Sequence, residues 1–213
     1  DGPIARGIGT YVQGQPANGG GIRTKPYSTN FAVNNLTYAD MGTGAIGTEV
    51  HNIGEIWCMA VWEMTWAIIQ QEGTINPNLY NFTPTTAGGN SIALKLVLEG
   101  MRLQPCSPGY IDARDAILSA DRNLYAGRHA CAIWTAFAKR GMGFGASQGS
   151  SFSATDRTAS TTMPPAPTIS TQPVDVTVAV GANATFTANA GTDVNLIYTW
   201  QVSTDGGTTF TNV

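Results

Sequence analysis

Histidine and cysteine are the side chains best able to do chemistry near neutral pH, and this chain of 213 residues holds two of the first and three of the second. His51 stands in Glu49-Val50-His51-Asn52-Ile53-Gly54-Glu55, where a Gly/Thr-rich stretch turns into a long apolar run. A histidine at a helix start feels the positive end of the helix dipole, so the stretch alone suits a capping residue as well as a functional one. Glu55 lies one helical turn further on, and the two could form half of a metal site. No third or fourth ligand is recognisable. Cys58, Cys106, Cys131 and His129 match no zinc spacing, and the chain has no His-Glu-x-x-His, no P-loop and no Gly-x-Ser-x-Gly elbow. A metal site complete within this chain is not expected. His129, next to Arg128 at a loop-to-helix junction, reads as an exposed structural residue.

The elements that must position these residues follow from the period of the apolar positions. Residues 1–48 are rich in Gly, Asn, Thr and Pro and lack a sustained period, so loops and extended chain are expected there. Ile53, Ile56, Trp57, Ala60, Val61, Met64 and Ile68 then recur at helical spacing and predict a long buried helix ending near Gly73. A second helix is predicted with Asn90 as its cap, stopping before Pro105. A third runs from Tyr110 and breaks near Gly127; a fourth runs from Ala130 to Gly141. Four helices with short connections make a helical bundle. The third places Cys106 and Cys131 about 24 Å apart at ~1.5 Å per residue, too far for a disulfide, whose Cα atoms lie within ~7 Å.

Beyond residue 152 the composition changes. Residues 153–167 are rich in Ser, Thr and Pro and read as a linker, with Pro164-Pro165-Ala166-Pro167 as its stiff part. Over residues 168–213 the period becomes two: Val174, Val176, Val178 and Val180; Ala184, Phe186 and Ala188; Leu196, Tyr198, Trp200 and Val202, with a further strand opening at Phe210. That pattern resembles the first half of an immunoglobulin-like sandwich, truncated. Charge divides at the same place. The first 157 residues carry eleven basic and eleven acidic side chains, and the net charge of −3 resides wholly in Asp175, Asp193 and Asp205. So small a charge excludes a basic phosphate-binding surface as the main function, and no nucleic-acid partner is expected. The longest apolar stretch, 53–69, is interrupted by Glu55 and Glu63, so no membrane span is expected.

Several motifs are shared with one family. Arg6-Gly7-Ile8-Gly9-Thr10-Tyr11-Val12, Gly21-Ile22-Arg23, Val50-His51-Asn52-Ile53-Gly54-Glu55-Ile56-Trp57, Leu103-Gln104-Pro105-Cys106, Ala113-Arg114-Asp115-Ala116-Ile117 and Ala136-Phe137-Ala138-Lys139-Arg140-Gly141 occur in the order found in the fungalysin zinc metallopeptidases, which residues 6–152 resemble. More distantly, the stretch is similar to the helical second half of thermolysin-like enzymes. The resemblance implies that residues 1–152 are the C-terminal half of a metallopeptidase catalytic domain, secreted and acting on protein or peptide substrates. The zinc, its ligands and the general base would then come from an N-terminal half absent from this sequence. It implies roles for two residues 28 positions apart: His51 as catalytic donor to the oxyanion formed as zinc-bound water attacks the scissile carbonyl, and Arg23 as a substrate-binding guanidinium on a backbone carbonyl. One position departs from the thermolysin-like pattern. An aspartate five residues before the histidine is replaced by Ile46, leaving Glu49 or Asp40 to orient the ring. The competing expectation is a non-catalytic extracellular adhesion protein with a helical domain and an immunoglobulin-like module.

Overall fold

A computed structural model of the chain describes residues 2–166, 168–190 and 198–213. It divides into two units, Asp1–Pro164 and Pro165–Val213. In the first, four helices follow one another: α1 (Val50–Glu72), α2 (Gly89–Leu103), α3 (Tyr110–Tyr125) and α4 (Ala130–Lys139). The apolar period places Ile56, Ala60, Met64 and Ile68 along one side of α1, where all are buried against Ile92 and Leu96 of α2, Ile117 of α3 and Ile133 and Phe137 of α4. Tyr38, Met41 and Ile46, from the irregular segment before α1, join the same core.

The ends of the helices have local causes. Helix α1 stops at Gly73, whose φ of 67° is a left-handed cap that glycine adopts without a Cβ penalty. Helix α2 begins one residue earlier than the expected Asn90 cap, with Gly88 in that role. The Asn90 amide instead grips the main chain of the preceding loop, accepting from Asn76 N at 2.9 Å and donating to Asn76 O at 2.8 Å. Gly89 allows α1 and α2 to approach, since a Cβ there would lie 2.5 Å from Ile69 Cα. At the start of α3, the Gln148 side chain accepts from Ile111 N and Asp112 N, both at 3.0 Å.

Charged side chains in the interior hold the irregular parts. Arg140, at the end of α4 and fully buried, donates to Glu63 Oε1 (Nε at 3.1 Å, Nη2 at 2.5 Å), Asn34 O (2.7 Å), Leu36 O (2.9 Å) and Ser28 O (3.0 Å). Lys139 reaches Glu63 and Thr29 O. Arg114, also buried, donates to Met142 O and Gly143 O. Residues 153–162, expected as linker, are tied to this unit. Ser147 bridges Thr158, Met142 bridges Ser160, and Arg157 Nε donates to Tyr38 O at 2.8 Å. Isolated bridges leave no periodic trace, which is why composition alone reads this stretch as free chain.

His129 departs from its expected exposure. It is fully buried, with Nδ1 2.7 Å from Asp121 Oδ1 and Nε2 3.1 Å from Glu72 Oε1, and its backbone N donates to Asp121 Oδ2. It therefore joins the ends of α1 and α3 to the start of α4.

In the second unit the described residues form one two-stranded antiparallel sheet, β1 (Gln201–Val202) with β2 (Thr211–Asn212), Val202 opposite Thr211. Asp205 organises the turn between them, accepting from Ser203 Oγ, Thr208 N, Thr209 N and Thr209 Oγ1. The stretches Val174–Val180 and Ala184–Ala188, expected as strands, have no ladder. Both lie within the chain that a single bridge, Thr171 to Asn189, closes, and their valines stay exposed. Leu196, in the third expected strand, lies outside the described residues. No described helix is long and apolar enough to cross a membrane.

The Arg140 contacts yield a test of the first unit. Arg140→Ala leaves Glu63 buried with Lys139 as its remaining cation and frees three carbonyls. Breaking a buried pair in this way costs about 3–5 kcal/mol, and urea unfolding of the chain is expected to show a loss of that size.

Candidate active site

Helix α1 has two working sides. Opposite the core side, His51, Glu55, Cys58, Trp62 and Trp66 recur at intervals of three and four and so share one face. The N-terminal segment runs along that face. Trp62 Nε1 donates to Gly2 O at 3.2 Å, and the Tyr27 ring packs at a tilt against Trp62, centroids 6.1 Å apart. One turn from the start of the helix, Glu55 is fully buried and accepts from Thr24 N (3.1 Å), Thr24 Oγ1 (2.9 Å) and Lys25 N (2.9 Å). Arg23 immediately precedes this anchored pair. Its guanidinium stands beside the Tyr27 hydroxyl, which also interacts with Cys58. Burial, with Cys58 adding to it, pushes that hydroxyl well above its ordinary range, so it stays a neutral hydrogen-bonding group.

His51 opens the same face. Its backbone N and that of Asn52 donate to Glu49 Oε2 at 2.9 and 3.0 Å, and its Nδ1 lies 2.7 Å from Glu49 Oε1. The His51 ring first, then the N–H groups of Asn52 and His51, hold the Glu49 carboxyl below the usual carboxylate range. The ring is 70% exposed. Tyr27, to which Arg23 is joined, packs near Cys58, two turns below His51. That is about 10 Å along the axis at ~1.5 Å per residue, the length of about three residues of extended peptide at ~3.3 Å each. His51 and the segment that carries Arg23 thus border the same face of α1. Glu55 and Tyr27, which hold the Arg23 segment there, escaped sequence reasoning: Glu55 is 31 residues from Thr24, and no local pattern joins the two.

A separate pocket of about 370 Å³ opens between the starts of α1 and α3, lined by Tyr38, Met41, Val50, Ile53, Tyr110 and Phe152 among others. No charged side chain lines it, and Thr48, Val50 and Ile53 bring it to the first turn of α1.

Zinc does not fit the residues present. Among the described residues no group of three or more His, Cys, Asp or Glu could hold a metal ion. Glu55 is engaged by the Thr24–Lys25 backbone, His129 is enclosed by Asp121 and Glu72, and Cys58, Cys106 and Cys131 are free, exposed and separate.

The helical unit has a histidine at the head of its longest helix and an arginine on the segment that Glu55 anchors to that helix. Residues 3–146 match the fungalysin metallopeptidase (M36) family, and the chain belongs to that family. It is 47% identical over 144 residues to extracellular metalloproteinase 4 of Arthroderma otae, covering 64% of this chain and 21% of that protein. It is 43% identical over 159 residues to extracellular metalloproteinase mep of Aspergillus fumigatus, covering 72% of this chain and 24% of the relative. Extracellular metalloproteinase 10 of Coccidioides posadasii is 44% identical over 132 residues, with 61% and 20% covered. The chain thus spans between a fifth and a quarter of the length of these relatives.

Two measurements test the site as described. Glu55→Ala removes the acceptor of three bonds, and the amides of Thr24 and Lys25 are expected to lose their hydrogen-exchange protection while those in the middle of α3 keep theirs. Calorimetric titration of the 213-residue chain with zinc is expected to show no tight stoichiometric site; tight one-to-one binding would overturn the reading of its donors.

Proposed function

We propose that residues 1–152 supply the second half of the active site of a secreted zinc metalloendopeptidase, with the zinc ligands and general base contributed by sequence outside this chain. The observation that supports this reading is the single face of α1 carrying His51 and, through Glu55, the loop of Arg23. His51 donates a hydrogen bond to the oxyanion that develops on the scissile carbonyl. Arg23 forks onto a neighbouring substrate carbonyl and fixes the direction of the chain. Fixed donors of this kind act where charge appears in the transition state and need no reorganisation. Peptides and proteins are the substrates. The alternating pattern of residues 168–213 supports an immunoglobulin-like module serving attachment or substrate capture.

The test uses the full-length gene product. His51→Ala is expected to lower kcat by about 10²–10³, the usual consequence of losing one oxyanion donor, with zinc content unchanged. Arg23→Ala is expected to act mainly on KM. Wild-type turnover in the His51 variant would remove the catalytic role, and a gene without His-Glu-x-x-His upstream of Asp1 would favour the adhesion alternative.

A further inference from the structure

The thermolysin-like arrangement that residues 6–152 resemble has a carboxylate to orient the histidine, and the position where it is expected holds Ile46. That side chain is 3% exposed and belongs to the core, so a charged group there would be buried among apolar side chains. Asp40, one of the two alternatives, is engaged elsewhere. Its Oδ2 accepts from Thr37 N at 2.7 Å and from Thr37 Oγ1 at 2.9 Å, capping a 3₁₀ turn, Tyr38–Asp40. Glu49 has both oxygens at the head of α1. One accepts from the N–H groups of His51 and Asn52, and the other lies 2.7 Å from His51 Nδ1.

We propose that Glu49 is the positioning residue of His51, a helix cap that also fixes the ring and its tautomer. This rests on the reading of His51 as a substrate-facing donor. A carboxylate can only accept, so the contact requires the proton on Nδ1. The proton location on a histidine is set by the bond its other nitrogen makes. With Oε2 bound to two backbone N–H groups, the carboxylate cannot swing away without uncapping the helix, so the backbone itself holds the orienting group. Asn52 steadies the same turn from its other side, its Nδ2 reaching Ala45 O and Ile46 O at 3.3 and 3.4 Å. The exposed edge of the ring, carrying Nε2, is left open to a substrate. Glu49 touches no reacting atom and acts only through His51.

The chain has only two histidines, which makes the tautomer directly readable. In the ¹⁵N-labelled 213-residue chain, long-range ¹⁵N–¹H correlations of the neutral His51 ring are expected to show the proton predominantly on Nδ1. Glu49→Ser preserves a good helix cap but cannot reach the ring, and the population is expected to shift severalfold to Nε2–H. Glu49→Gln, whose amide oxygen can still accept, is expected to retain part of the Nδ1–H form. His129 serves as the internal reference and should be unchanged. In the full-length enzyme Glu49→Ser is expected to lower kcat by about tenfold or more with KM within a factor of two, and Glu49→Gln to recover part of that loss. An Nε2–H ring in the wild-type chain, or equal tautomers in wild type and Glu49→Ser, would overturn the proposal. So would wild-type kcat in Glu49→Ser when His51→Ala is inactive. Full activity in His51→Ala would instead remove the catalytic reading while leaving the tautomer result intact.

Discussion

The first unit depends on one buried contact, between Glu63 in α1 and Arg140 at the end of α4. Helix–helix packing accounts for the bundle, but nearly a third of this unit precedes α1 and has almost no regular structure. Such chain needs partners for its backbone polar groups wherever it is buried. The Arg140 guanidinium provides three of them, at Ser28, Asn34 and Leu36, while its charge is balanced by Glu63. Fixing residues 28–36 in turn fixes where residues 24–27 meet α1, and so where Arg23 stands.

The same logic accounts for the division of labour along α1. A 23-residue helix that is apolar on one side and faces an irregular segment on the other serves as a straightedge for both. Core packing sets its position, and Glu55, Trp62 and Tyr27 then register the N-terminal segment against it. His51 owes its place to the first turn of the helix, and Arg23 owes its place to Glu55. Changes in the bundle therefore reach the two residues by different routes.

Much of this was legible in the sequence. The four helices follow from apolar spacing because their burial is periodic, and the family motifs single out His51 and Arg23 as candidates. The partners of Glu55, Arg140 and His129 were not legible, because each contact joins residues far apart in the chain and ions in a core have no period. His129 shows the difficulty well: its neighbours Arg128 and Ala130 give no hint that Glu72, 57 residues away, closes over the ring. The stretch 153–162 was misread for a related reason, since single bridges and one arginine hold it without any repeating pattern. In the tail, the alternation of valines predicts strands, but the structure shows no ladder over Val174–Val180 or Ala184–Ala188.

Arginines that grip main-chain carbonyls have one more consequence. Arg114, Arg140 and Arg157 each close an irregular segment by donating to carbonyl oxygens. A carbonyl carries no charge, so the acceptor side of these bonds neither ionises nor is screened. Buried contacts of this kind are little weakened by dissolved salt. The irregular segments that Arg114 and Arg140 close are thus held by buried bonds that dissolved salt weakens little.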